Sequence, residues 1–257
     1  MHPIAFGPVH WYGVMVALGF LMGLWTASRR GLREGVPAER IMDLGPWLIL
    51  GAIAGARTLY VLSYWREEFA RKPIWEIFMV QHGGLVYYGG LVGSSIAFIV
   101  YARWKKLPLW KGADILAPSI ALGHALGRIG CLFNGCCYGR PCSLPWGITY
   151  PDRPGGPLAG IPVHPSQIYE SILNAILYVT LVWLYRRKKF DGQIFAVYLV
   201  SYAFIRSFVE LFRGDYPQYY FGGRVTPAHL ISVVILIIGV LLLRVLPRAT
   251  PRTQVGN

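Results

Sequence analysis

Apolar residues along this chain come in long blocks, and most of the charged residues gather between the blocks. A block of about 20 apolar residues has the length of a helix that crosses a bilayer. Seven such spans are predicted, at Trp11–Ser28, Gly45–Tyr64, Gly84–Trp104, Ala113–Cys131, Gln167–Tyr185, Ile194–Phe212 and Pro227–Val245. The first and the last are the plainest. The fourth is the weakest, because it is rich in glycine and carries His124 and Arg128. The expected fold is all-α: a polytopic membrane protein of seven transmembrane helices. It reads as one membrane-embedded domain over 1–257, with an external loop at about 128–166.

Composition agrees with this pattern. Hydrophobic residues make up 54% of 257 and charged residues only 14%, against about 25% charged in an average soluble domain. Mean hydropathy is +0.44. Disorder is excluded, and a soluble globule would lack the polar residues to cover its surface.

The net charge is +13, from 25 Lys+Arg against 12 Asp+Glu. Nucleic-acid binding would need a basic face on a soluble domain, and here the charges form short clusters between apolar blocks, so no nucleic-acid partner is expected. Counted along the predicted topology, 15 cationic residues fall on one side and eight on the other. The larger group includes Arg29, Arg30, Arg33, the run Arg186-Arg187-Lys188-Lys189 and Arg252. Cytoplasmic loops carry the excess of Lys and Arg. The N-terminus is thus expected outside, on the periplasmic face, and the C-terminus in the cytoplasm. The clusters read as topological anchors, with contact to anionic membrane lipids as a secondary role. Met1–His10 has no charged leader region, so no cleaved signal peptide is expected.

Chemistry is sought where polar groups are costly. Ionisable residues inside spans are functional candidates by default; those singled out are Arg57, His124, Arg128, Arg206 and Glu210. Arg206 and Glu210 stand four apart and share a helix face, as do His124 and Arg128. One reading of the first pair is an ion pair that holds helices together. A second starts from three arginines answered by one carboxylate. A surplus guanidinium suits phosphate oxygens, and in a membrane that means a phospholipid headgroup. The segment His82–Gly93 carries five glycines in twelve residues. Close helix packing explains them, and so does close approach of backbone to a ligand.

Several motifs, taken in order, resemble the prolipoprotein diacylglyceryl transferase family. They are His10-Trp11-Tyr12-Gly13, Gly55-Ala56-Arg57 with Tyr60-Val61, and Gly83-Gly84 with Gly89-Gly90-Leu91. They continue with Gly127-Arg128-Ile129-Gly130 through Asn134-Gly135 to Tyr138-Gly139-Arg140. His164-Pro165-Ser166-Gln167-Ile168-Tyr169-Glu170 and Arg206…Glu210…Arg213 complete the set. The resemblance implies a multi-pass enzyme of the bacterial inner membrane that needs no cofactor and no metal. It would move the diacylglyceryl group of phosphatidylglycerol to the lipobox cysteine thiol of a preprolipoprotein, the first step of lipoprotein maturation. By resemblance, Arg128 contacts phosphatidylglycerol and Arg206 is a second phosphate-side group. Tyr12, Asn134 and Gly139 line the site. Tyr88, Arg206, Glu210 and His10 are candidate catalytic groups.

The chain departs from the family pattern at three positions. Tyr88 stands where many members have histidine before Gly-Gly-Leu, and Cys131 and Cys136 stand at the signature's Asn and Glu. The thiol substrate must lose a proton, because the thiolate is the nucleophile. With Tyr88 at the family histidine, the base is open among Glu210, His10, His124 and His164.

All four cysteines, Cys131, Cys136, Cys137 and Cys142, fall within twelve residues on the expected outer side. One or two disulfides are the leading expectation there. Buried free thiols are the next reading, and a metal site or redox-active pair the remaining one. Three alternatives to the transferase stay open: a diverged relative without the activity, a membrane thiol oxidoreductase, and a transporter. Against the last two, no C-x-x-C and no internal repeat is found.

Overall fold

The computed structural model describes residues 4–7, 9–70, 72–151, 160–214 and 226–249. Of the cationic residues counted above, Arg71, Arg153, Arg224 and Arg252 lie outside these. Among the described residues there are seven long helices and one short hairpin of β1 (Ile4–Phe6) and β2 (Val9–His10), which pair antiparallel. The helices are α1 (Trp11–Arg33), α2 (Ala38–Ser63), α3 (Tyr87–Trp104), α4 (Leu109–Asn134), α5 (Ser166–Tyr185), α6 (Gln193–Glu210) and α7 (Pro227–Ala249).

Every predicted span is matched by a helix. The largest differences are at the start of α2, which begins at Ala38 instead of Gly45, and the end of α1, which runs on from Ser28 to Arg33. Six of the helices are long and apolar enough to cross a membrane. The exception is α3, whose 18 residues include Gly89, Gly90, Gly93, Ser94 and Ser95 and so dilute its apolar content. The exposed apolar side chains lie mostly along these helices: Leu21 on α1, Leu50 and Leu62 on α2, Val179 on α5, Phe204 on α6 and Val245 on α7 are all more than half exposed. An outward apolar face suits lipid, not water.

The chain divides into two compact units, residues 28–112 and residues 1–27 with 113–257. Each is described by itself. In the first, α2 and α3 lie backbone to backbone. A Cβ on Gly55 would run into the Gly89 carbonyl oxygen and stand 2.8 Å from Gly93 Cα. Only glycine permits that approach, which small residues provide in membrane helix pairs. Of the two explanations for the glycine-rich segment, the structure therefore bears out close packing for Gly89 and Gly93.

In the second unit, polar bonds between helices replace part of the missing hydrophobic drive. Ser119 on α4 donates to the Gly23 carbonyl of α1 at 2.6 Å, and Ser171 on α5 donates to the Ala125 carbonyl of α4 at 2.9 Å. Asp114 of α4 is fully buried and accepts from the Gly192 and Phe195 amides at 2.8 and 3.0 Å. It thus caps the start of α6, whose first amides have no partner within their own helix. Lys188 closes this arrangement, 3.6 Å from Asp114 and 3.1 Å from Asp191, and is itself only 1% exposed. That corrects one expectation: Lys188 is not a surface anchor like its neighbours in the basic run. It neutralises a buried carboxylate.

Candidate active site

The second unit brings together charges from three helices. On α4, His124 and Arg128 share a face. Glu170 projects from the second turn of α5, and Arg206 and Glu210 share a face of α6. Arg128 Nη2 stands 3.0 Å from Glu170 Oε1, and His124 Nε2 is 4.0 Å from the same oxygen. Arg206 Nη1 meets Glu210 Oε2 at 2.7 Å. The His124 ring stacks on Tyr202 of α6 with centroids 5.4 Å apart, and Tyr202 stacks on Tyr198 at 5.8 Å. Glu170 and Glu210 are 2% exposed. Groups this buried are held by one another, because each alone would be costly inside the membrane.

The pairing of Arg128 is incomplete. It meets Glu170 as an ion pair outside hydrogen-bond alignment: neither Glu170 Oε1 nor the buried Arg128 Nε has a hydrogen-bond partner among the described residues. Buried polar atoms are nearly always hydrogen-bonded. A guanidinium whose Nε donor is unused still has a fork edge with which to meet an anion.

The loop that follows α4 folds back over this end of the unit and is laced to the segments before α5 and after α6. Gly139 N donates to the His164 carbonyl at 2.9 Å, Arg140 N to the Phe212 carbonyl at 2.8 Å, and His164 N to the Arg140 carbonyl at 3.0 Å. Gly139 sits where the three segments cross. A Cβ there would lie 2.5 Å from His164 Cβ and 2.7 Å from the Phe212 carbonyl oxygen. Glycine at 139 is thus what allows the crossing. Arg213, just past α6, is buried and bridges to Gly139.

The other predicted residues divide. Asn134 ends α4, with its amide 3.6 Å from Cys136 Sγ. Tyr12 opens α1 and is 44% exposed; its backbone packs on Gly130 of α4, where an added Cβ would stand 3.2 Å from Tyr12 Cα. His10 is exposed at the end of β2. His164 lies in the laced loop, its ring against Phe212 at 5.3 Å and its Nδ1 3.3 Å from the Tyr169 hydroxyl. Tyr88 belongs to the other unit, at the start of α3, half exposed and edge-on to Tyr87 at 5.7 Å. Of the four candidate bases, the charged cluster includes His124 and Glu210.

Two expectations need correction. The count of one carboxylate against three arginines overlooked Glu170, which lies inside the predicted fifth span and answers Arg128. Arg57 is not a surplus cation either. It donates to the carbonyls of Glu76, Ile77, Gly83 and Gly84 at 2.7, 2.8, 2.7 and 3.3 Å, and its guanidinium lies over the Phe69 and Tyr60 rings. It ties the 74–84 segment to α2. Gly83 and Gly84 serve the same tie with their carbonyls, and both take positive φ.

The cysteines carry free thiols, without the disulfides expected of this loop. Cys131, Cys136 and Cys137 bring their sulfur atoms within 4.8 Å of one another. The Cys137 thiol is held below its ordinary pKa because it accepts from Cys131 and then Cys136, and because the Arg128 and Arg213 guanidiniums favour its thiolate. Burial pushes the nearby Tyr150 hydroxyl up.

The family model described as prolipoprotein diacylglyceryl transferase matches residues 3–245 of this chain. Curated relatives include the phosphatidylglycerol–prolipoprotein diacylglyceryl transferases of Synechococcus elongatus and Finegoldia magna. The first is 36% identical, covering 93% of this chain and 84% of the relative, and the second 37%, covering 91% and 90%. That of Chromohalobacter salexigens is 39% identical, over 84% of this chain and 79% of its own length.

Proposed function

This chain belongs to the prolipoprotein diacylglyceryl transferase family, and from that premise we propose which of its residues carry the transfer. It is a membrane transferase that moves the diacylglyceryl group of phosphatidylglycerol to the cysteine thiol of a prolipoprotein. The family match runs through both compact units, so 1–257 is treated as one membrane-embedded transferase domain. The proposed setting is the bacterial inner membrane, crossed seven times with the N-terminus outside. The α3 helix makes the seventh crossing: 18 residues rise about 27 Å, close to the roughly 30 Å of a hydrocarbon core. This orientation sets the end of α4, the start of α5 and the end of α6 at the outer face, which brings the charged cluster to the outer leaflet.

In the reaction a sulfur–carbon bond forms at the diacylglyceryl carbon that carries phosphate. The carbon–oxygen bond to that phosphate breaks, and its electron pair leaves with glycerol phosphate. Arg128 binds the phosphate, turning from Glu170 toward the anion with the Nε donor it does not otherwise use. Arg206, held by Glu210 at 2.7 Å, takes the charge that develops on the departing oxygen, the kind of preoriented electrostatics that dominates catalysis. The thiol proton needs a base. Glu210 stands as an ion pair with Arg206 and Glu170 with Arg128, and we assign the base to His124. Asn134 and Tyr12 border the same end of the unit and complete the lining. The observation that carries the reading is the incompletely bonded Arg128 in a buried cluster of two guanidiniums, two carboxylates and an imidazole.

Complementation of a strain depleted of its own transferase tests the activity. Rescue is expected, and failure by correctly inserted protein would overturn it. The base is tested separately. His124→Gln lowers turnover about 100-fold at unchanged insertion, in the range of general base catalysis, and Tyr88→Phe leaves it within a factor of three. The reverse pattern returns the role to Tyr88.

A further inference from the structure

We propose that Cys131, Cys136 and Cys137 form a three-thiolate site for a divalent d10 cation of the zinc class, which clamps the loop after α4 to the end of that helix. The three sulfur atoms come from two segments, the last turn of α4 and the loop beyond it, and converge within 4.8 Å of one another. A tetrahedral cation with bonds of about 2.3 Å sets its sulfur ligands about 3.8 Å apart, a distance that small side-chain rotations supply.

Their convergence is built by the backbone. Cys137 adopts a φ of +62°, a conformation that residues other than glycine take only where the surroundings hold them. What holds it is the start of α5. Ser166 Oγ donates to the Cys137 carbonyl at 2.8 Å and Gln167 Nε2 to the Cys136 carbonyl at 2.7 Å, and both side chains are buried. Cys136 N donates to the Cys131 carbonyl at 3.2 Å, which closes the turn. Asn134 Nδ2 approaches Cys136 Sγ at 3.6 Å, the type of outer bond that orients a metal's ligand.

Charge also favours this assignment. Three thiolates and one dication leave a net charge of minus one, and Arg128 stands one turn before Cys131 on α4 while Arg213 bridges to Gly139, two residues past Cys137. A bare dication would be repelled by them; the anionic complex is not. The fourth coordination position is open, as in sites with three protein ligands. A single disulfide would join two of the sulfurs and leave the third unused. Cys142 is not in the group and serves as the internal control.

The inference does not rest on the transferase reading, and its test contains no lipid or lipoprotein. Full-length protein is purified in detergent under reducing conditions, freed of metal, and titrated with Cd2+ while thiolate-to-cadmium charge transfer is followed in the ultraviolet. One equivalent saturates the signal, and protein first loaded with Zn2+ develops the same signal as Cd2+ displaces the zinc from the soft thiolates. Zn2+ also protects three of the four thiols from alkylation and leaves Cys142 reactive. Cys131→Ser, Cys136→Ser and Cys137→Ser each weaken binding at least tenfold, and Cys142→Ser does not. If one single variant fails to insert, the wild-type stoichiometry and protection pattern still decide. No charge transfer from the reduced protein overturns the site. So does binding that survives all three substitutions, or a native two-hydrogen mass deficit mapped to a disulfide within the trio.

Discussion

Arg57 and Arg128 are both arginines within apolar helices, one in each compact unit, Arg57 buried and Arg128 largely so, and they are satisfied in opposite ways. Arg57 meets only neutral acceptors. Four backbone carbonyls between Glu76 and Gly84 surround it, and two aromatic rings flank it. Arg128 meets a carboxylate, out of hydrogen-bond alignment, with Nε unbonded among the described residues. Carbonyls fixed in a folded segment cannot be exchanged for a ligand without unfolding that segment. A carboxylate in Coulombic contact can be exchanged for a phosphate of like charge. The same side chain is therefore a structural tie in one unit and the proposed substrate contact in the other, and its residue type does not tell them apart.

The strongest way to break this comparison is Arg128→Ala. Loss of one well-placed electrostatic contact to the reacting group costs about 100- to 1,000-fold in turnover, and here Glu170 is also left buried without its cation. Turnover of phosphatidylglycerol is expected to fall by about 1,000-fold, measured as thioether formation on a lipobox peptide. Arg128→Lys recovers little of it, because an ammonium lacks the planar fork. Unchanged turnover would take Arg128 out of the site.

Arg57→Ala is the converse. It strands four carbonyls of the 74–84 segment, and hydrogen bonds to a charged group contribute about 1.5–3 kcal/mol each, not additively. A loss of about 3 kcal/mol or more is expected, read as a lower midpoint of thermal aggregation in detergent and earlier proteolysis within 74–84. Protein that remains folded should turn over substrate at a rate near that of the wild type. Loss of turnover without loss of stability would place Arg57 with Arg128 and collapse the distinction.

What could be read from the sequence follows the same division. The helices were legible because lipid imposes one rule on every span: each of the seven apolar blocks is matched by a helix, and six of those helices are long and apolar enough to cross a membrane. The i,i+4 pair Arg206–Glu210 was legible because helix periodicity alone brings it together. Glu170 is legible as well, inside the fifth span and at the end of the His164–Glu170 motif, and a balance of three arginines against one carboxylate does not count it. With Glu170 counted, the excess of arginine shrinks, and the case for a phosphate contact passes from net charge to hydrogen-bond geometry. The partners of Arg57 were not legible. They are backbone carbonyls, which every residue has, and nothing in the residue types at 76, 77, 83 and 84 marks them. The convergence of three cysteines depended on a left-handed turn at Cys137 fixed by Ser166 and Gln167 about 30 residues later. Spacing along the chain carries no sign of it.

The smallest expected effect sharpens the comparison from the side of Arg57. Glu76 gives its carbonyl to Arg57 and its carboxylate to His82, whose Nδ1 is 2.8 Å from Glu76 Oε1. The hydrogen bond from His82 holds the Glu76 carboxyl below the ordinary range, with the charges of His82, Lys72 and Arg57 adding to it against desolvation. A folded-state pKa below the unfolded one means that the unfolded chain takes up the proton first as the pH falls. The contribution is therefore complete above the unfolded value, near pH 4.3, and is lost as the pH drops through the folded value. Thermal midpoints of the wild type and of Glu76→Gln should differ slightly near pH 5 and converge toward about pH 3. Because the pair is exposed, the difference should be far smaller than that from Arg57→Ala, since exposed ion pairs contribute little. A Glu76→Gln effect as large as that of Arg57→Ala would mean that the side-chain pair, not the guanidinium among its carbonyls, holds the 74–84 segment in place.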